Sequence, residues 1–141
     1  MSTTFHLAIP VTSIEEAEKF YCDLLGCKKG NYEQGKWQDI NFWGNELTLH
    51  EADHGLQNER HDVDMGQVSV PHFGIHLSRH VFDVIKERIE AHDEFTYLDE
   101  PYLRFKDDEQ EQETFFIKDP SGNVIEIKTM RTPELLWADN S

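Results

Sequence analysis

The chain has 141 residues, with 28 Asp and Glu against 13 Lys and Arg, a formal charge of −15 at pH 7. A field this acidic repels phosphate backbones and anionic lipid, which excludes nucleic-acid and membrane-surface partners. Aromatic residues make up 11% of the chain, too many for a disordered one, and the length suits one compact domain or two small repeated modules sharing a core.

Residues 5–11 alternate and read as a strand, with Phe5, Leu7 and Ile9 on one face and His6, Ala8 and Pro10 on the other. Thr12-Ser13 opens a helix with Ser13 as its cap, and Glu15-Glu16 suit its positively polarised first turn. Ile14, Ala17, Phe20, Tyr21, Leu24 and Leu25 keep helical spacing, and Gly26 is the expected left-handed end. Residues 37–43 and 46–51 read as strands joined by Gly44-Asn45. Residues 53–69 are polar and read as a long loop.

The pattern then restarts. Residues 70–77 form a strand with Phe73, Ile75 and Leu77 on one face and His72, Gly74 and His76 on the other. A helix over 80–91 buries Val81, Val84, Ile85 and Ile89. Strands follow at 95–97, 102–105, 113–117 and 124–129, the last two joined by the turn Asp119-Pro120-Ser121-Gly122-Asn123. The acidic run 107–113 is a solvated loop, and Pro133 starts a short C-terminal helix over 133–138. Nothing in the chain reads as a leader peptide or a membrane span, and Cys22 and Cys27 are too few for a disulfide framework. These features lead us to expect free thiols in the cytoplasm.

The restart is an internal repeat. His6 matches His72, and Phe42, Gly44-Asn45 and Leu47 match Phe116, Gly122-Asn123 and Ile125. The expected fold is α+β: a single domain over 1–141, built from βαβββ modules at about 4–65 and 70–130 that form a half-barrel around a metal site. Strand parity puts His6, Thr48, His50, His72, His76 and Glu126 on the helix-free face. Two imidazoles and a carboxylate make a facial triad, so His6, His72 and Glu126 are the candidate ligands for Fe(II), with Mn, Ni and Zn open to the same set. The same parity also fits histidines that are hydrogen-bonded structural residues of a strand and a solvent-facing Glu.

The phrases around 5–11, Phe20-Tyr21-Cys22-Asp23-Leu24-Leu25-Gly26 and Asp119-Pro120-Ser121-Gly122-Asn123 resemble the vicinal oxygen chelate superfamily of glyoxalase I, bleomycin-resistance proteins and extradiol dioxygenases. Pro71-His72-Phe73-Gly74, residues 100–105 and Thr114-Phe115-Phe116 further resemble its small single-domain extradiol dioxygenases. The resemblance implies a metal-dependent dioxygenase acting on a small substrate that chelates the metal through vicinal oxygens, with dioxygen as co-substrate, in a homodimer. Thr48 stands where a glyoxalase carries a fourth, carboxylate ligand, so that position reads as vacant. Phe116 stands where many catechol-cleaving members carry a Tyr, which leaves His50, His76, Tyr102 and Arg104 as candidates for proton handling or anion binding. The alternatives are a glyoxalase-type lyase or isomerase and a metal-free drug-binding protein of the bleomycin-resistance kind, which the acidity suits if the drug is a cation.

Overall fold

Ser13, two residues past the first strand, starts the first helix, its extended backbone letting the side chain accept from the Glu16 N–H. The computed structural model describes residues 3–63 and 66–138 and divides them into two compact units, one of residues 3–59 with Lys118–Asn123 and the other of Arg60–Ile117 with residues 124–138.

In the first unit, β1 (His6–Val11) leads into α1 (Ile14–Glu18), which widens into π-helical turns over Lys19–Leu24. Gly26, at φ 80°, ends it as expected. Then come β2 (Lys28–Glu33), β3 (Trp37–Phe42) and β4 (Asn45–Glu51), in the sheet order β1-β4-β3-β2 with β1 parallel to β4. The β3–β4 turn sits one residue earlier than expected. Trp43 and Gly44, at φ 47° and 89°, form its centre, and Asn45 already pairs with Phe42. Ile9, Val11, Phe20, Leu24, Ile40 and Leu49 are buried as the core of this unit.

The turn at 119–123 belongs to this unit. Asp119 is buried, and its carboxylate accepts from Tyr21 Oη at 2.8 Å, from the Ser121 and Asn123 N–H groups at 2.9 Å each, and from Asn123 Nδ2 at 2.8 Å. Asn123 Nδ2 also donates to the Pro10 carbonyl, and its Oδ1 accepts from Leu56 N–H. The family-like turn is thus a polar clamp whose buried groups are all matched.

The second unit repeats the order: β7 (Phe73–His76), α2 (Arg79–Ala91), β8 (Tyr97–Arg104), β9 (Gln112–Lys118) and β10 (Val124–Met130), in the sheet order β7-β10-β9-β8 with β7 parallel to β10. Helix α2 buries Phe82, Ile85 and Ile89, so Phe82 takes a place expected for Val81 or Val84. The registers align the repeat residue by residue. Ala8 faces Thr48 in one sheet and Gly74 faces Glu126 in the other.

Within the expected 53–69 loop lie β5 (Glu59–Val63) and β6 (Gly66–Val70), which form a two-stranded sheet, while Asp64 and Met65 of that loop are outside the described residues. The expected C-terminal helix is a 3₁₀ turn, Pro133–Trp137. The expected half-barrel is not formed. Each unit carries an open mixed sheet of four strands with two edges, β1 and β2 in one and β7 and β8 in the other, and neither curls or closes into a barrel wall. Among the described residues no helix is long and apolar enough to cross a membrane.

Candidate functional site

The helix-free face of the second sheet gathers the polar chemistry of that unit. Phe115 packs on Phe82 of α2, so its neighbours Thr114 and Phe116 turn the other way. On that face Glu126, only 9% exposed, is held at both oxygens. His72 Nε2 lies 3.1 Å from Oε1, and Thr114 Oγ1 donates to Oε2 at 2.6 Å. Lys128 Nζ lies 3.8 Å from Oε2. The other ring nitrogen of His72, Nδ1, lies 2.6 Å from the Ser69 carbonyl, and the Phe116 ring stands edge-on to the imidazole at 5.2 Å.

Both ring nitrogens of His72 therefore face acceptors, and an imidazole satisfies two acceptors only when both nitrogens carry hydrogen. The electrostatics agree. The Glu126 hydrogen bond raises the His72 pKa above its ordinary value, outweighing burial, and the Ser69 carbonyl adds to the rise. Burial pushes the Glu126 carboxyl up, but hydrogen bonds from His72 and Thr114 and the charge of Lys128 outweigh it and hold the pKa below its ordinary value. Both shifts favour an imidazolium facing a carboxylate.

A cavity of about 480 Å³ opens over this pair, lined by residues 72–76 of the β7 edge together with Glu126 and Lys128. That volume falls within the range of small-molecule pockets. His76 lies at its wall, opposite Lys128 in the ladder, and burial and the Lys128 charge lower its pKa. Tyr102 pairs with Thr114 across β8–β9 and Arg104 with Gln112. Burial raises the Tyr102 pKa, the Glu126 charge adds to the rise, and Arg104 opposes it. Gln112 keeps its Oε1 buried without a hydrogen-bond partner.

The first unit arranges the corresponding positions differently. Thr48 Oγ1 donates to Asp39 Oδ1 at 2.7 Å, so the acid and the threonine have exchanged strands relative to Glu126 and Thr114. His6, at the place of His72, is exposed, and its Nδ1 is 2.7 Å from Glu46 Oε1. His50 is exposed at the end of β4, opposite Trp37 and Pro10. A larger open groove of about 650 Å³ runs beside α1 and the β2–β3 turn. Three of its acids are engaged locally, Glu18 with Lys29, Glu33 with Lys36 and Glu51 with the Ile14 N–H. Its buried Gln38 donates to main-chain carbonyls. We therefore assign the candidate site to the smaller cavity, where a part-buried charge pair forms the floor.

Residues 3–127 match the family model described as the Glyoxalase/Bleomycin resistance protein/Dioxygenase superfamily. The chain belongs to this superfamily. Among solved structures it is similar to a glyoxalase/bleomycin resistance protein/dioxygenase from Alicyclobacillus acidocaldarius, 29% identical, with a TM-score of 0.72 over 96% of this chain and 97% of that one. The fosfomycin resistance protein FosX from Listeria monocytogenes is 19% identical with a TM-score of 0.68 over 96% and 99% of the two chains. Lactoylglutathione lyase from Agrobacterium tumefaciens is 19% identical with a TM-score of 0.64 over 99% and 98%. The last two likenesses are of fold alone. No curated protein matches the chain.

Superfamily membership leaves the chemistry open, and the dioxygenase branch is not singled out among these relatives. The expected metal centre is corrected by the geometry. Among the described residues no group of three or more His, Cys, Asp or Glu side chains is placed to hold a metal ion. His6, His72 and Glu126 therefore do not make a ligand set for Fe(II), Mn, Ni or Zn. Both nitrogens of His72 face acceptors, so no ring lone pair is left free, and His6 is paired with Glu46. The metal-dependent, non-haem Fe(II) dioxygenase reading falls with that cluster.

The sequence reading did not anticipate Thr114, Ser69 or the engagement of Lys128 with Glu126. Alternation from Phe116 places Thr114 on the site face, but Ser69 reaches His72 through a main-chain carbonyl that carries no residue signal.

Proposed function

We propose that the protein binds a small molecule without a metal, on the helix-free face of the second unit's sheet, and acts by sequestering it. This is the function of the metal-free, bleomycin-resistance-like alternative. The observation that supports it is Glu126, clamped by His72 and Thr114 as the floor of a cavity of about 480 Å³. A floor whose polar groups already satisfy one another is rigid, and rigidity lowers the entropic cost of binding. On this reading His76, at the cavity wall, touches the ligand and carries out no step on it, while Tyr102 and Arg104 stand on β8 outside the cavity lining and His50 takes no part. The acting species is the single 1–141 domain in the cytoplasm, and light scattering on the purified protein tests whether it is a homodimer.

The test is isothermal titration with bleomycin, a basic glycopeptide, and with phenylphosphonate, an acidic aromatic, each with and without EDTA. Binding of either probe that EDTA leaves unchanged, with amide shifts at Gly74 and Glu126, is the expected result. Binding that appears only after a divalent metal is added overturns the proposal.

A further inference from the structure

The cavity over Glu126 differs in sign from the chain that carries it. We infer that its occupant is a small organic anion, a carboxylate or phosphonate head on an apolar body, held by Lys128 and the open edge of β7. The inference rests on the binding function proposed above and names its ligand class.

The donors and acceptors on the cavity wall decide the sign. Glu126 is the carboxylate among the lining residues, and both its oxygens already accept, from His72 and from Thr114. His72 neutralises that charge, which leaves the ammonium of Lys128 as the cavity's excess charge. Lys128 has three N–H groups and a side chain only 19% exposed, and one carboxylate oxygen at 3.8 Å does not fill them.

The strand edge adds main-chain partners. Among the described strands β7 pairs only with β10, and Leu77 N–H donates to the Lys128 carbonyl at 2.7 Å. Alternation along a parallel ladder then turns the main-chain groups of Phe73 and Ile75 toward β10, and Gly74 and His76 present their N–H and C=O groups alike to the open side. The main-chain edge offers donors and acceptors equally, so Lys128 sets the preference, because the one carboxylate among the lining residues is engaged. A cationic ligand finds no free carboxylate there, whereas an anionic oxygen meets an ammonium and amide N–H groups.

The net charge of −15 opposes an anion only at a distance. Exposed charges more than about 8–10 Å away are largely screened at physiological salt, while a partly buried ammonium in contact is not. The local charge therefore sets the preference.

The experiment titrates phenylphosphonate and benzylamine, an anion and a cation on similar aromatic bodies, into the intact protein. Amide shifts and calorimetry follow the binding. Phenylphosphonate is expected to shift Gly74, Ile75 and Glu126. Lys128→Gln is expected to weaken it by about tenfold or more, the loss of one charge-assisted hydrogen bond. Lys128→Arg keeps the charge and is expected to keep binding. Lys36→Gln removes the same formal charge from a lysine paired with Glu33 and is expected to change nothing. Equal weakening by Lys128→Gln and Lys36→Gln overturns the inference, because only the global field is then at work. Benzylamine or bleomycin shifting these amides in EDTA while phenylphosphonate does not overturns the anionic class and leaves metal-free binding standing. Silence of these amides toward every probe overturns both.

Discussion

Glu126→Gln separates an ion pair from a metal ligand. The substitution keeps shape and volume and removes the charge that His72 faces at 3.1 Å. The new amide N–H finds an acceptor in Thr114 Oγ1, which can turn its own hydrogen to the Ile127 carbonyl, so the substitution removes the charge without forcing two donors together. Removing one partner of a fully buried pair costs about 3–5 kcal/mol. Here the His72 side chain is 25% exposed and Glu126 12%, so an abandoned imidazolium can reach water or lose its proton. We therefore expect a loss of about 1.5–3 kcal/mol in urea unfolding with EDTA present throughout.

The pH dependence has a defined sign. His72 has a raised folded pKa, so its contribution is complete below its ordinary 6.5 and is lost as pH rises through the folded value. Glu126 has a lowered folded pKa, so its contribution is complete above its ordinary 4.5 and is lost as pH falls through the folded value. The pair is strongest between 4.5 and 6.5, and the penalty of Glu126→Gln should be larger in that window than in alkaline buffer. Unfolding curves of the two proteins in EDTA that agree within about 0.3 kcal/mol across that window would refute the ion pair. Strong stabilisation of the wild type alone by added Fe(II) or Zn(II) would restore the metal reading, since a bound ligand stabilises by RT ln(1 + [L]/Kd).

Gly74→Ala brings a Cβ to 1.7 Å from the Glu126 carbonyl oxygen, so β7 and β10 must part. A loss of about 2–3 kcal/mol in thermal or urea unfolding is expected, and an unchanged midpoint contradicts the register. Tyr21→Phe removes the donor 2.8 Å from Asp119 Oδ2 and should cost about 1.5 kcal/mol, with no loss when Asp119 is already Ala. Burial pushes the Cys27 thiol up to about 12, while Cys22 is only half-buried and less shifted. Iodoacetamide in mildly alkaline buffer should therefore label Cys22 first by mass spectrometry, and prior labelling of Cys27 would contradict the packing around α1.

Much of the fold can be read where one face of an element is dry. The alternation at 124–129, the cap at Ser13 and the helical spacing over 80–91 point to β10, α1 and α2, and the structure has all three. Strand β2 is exposed at every residue, so it shows no alternation, and the ladder with β3 alone makes it a strand. Strand β5 is likewise exposed at every residue, and β6 buries a polar residue, Ser69, so neither shows an apolar alternation. The repeat itself is legible because parallel registers preserve it, Ala8 against Thr48 and Gly74 against Glu126.

The site is legible only as a face. Parity says which side chains share the helix-free surface, and it places His72, His76, Glu126 and Lys128 together, as the cavity lining has them. It says nothing of what stands 3 Å from a ring nitrogen, and that distinguishes a metal ligand from an imidazolium. For His72 the deciding neighbours are a main-chain carbonyl at Ser69 and a carboxylate fixed by Thr114 from the next strand. Thr48 misleads in the same way. Read by repeat, it marks a missing acid, yet the acid is present one strand over as Asp39, bonded to that same threonine. Each unit thus keeps a threonine–carboxylate bond across its last two strands, in opposite orientation. The second unit adds His72 and Lys128 to the bond, which turns a structural pair into the charged floor of a cavity.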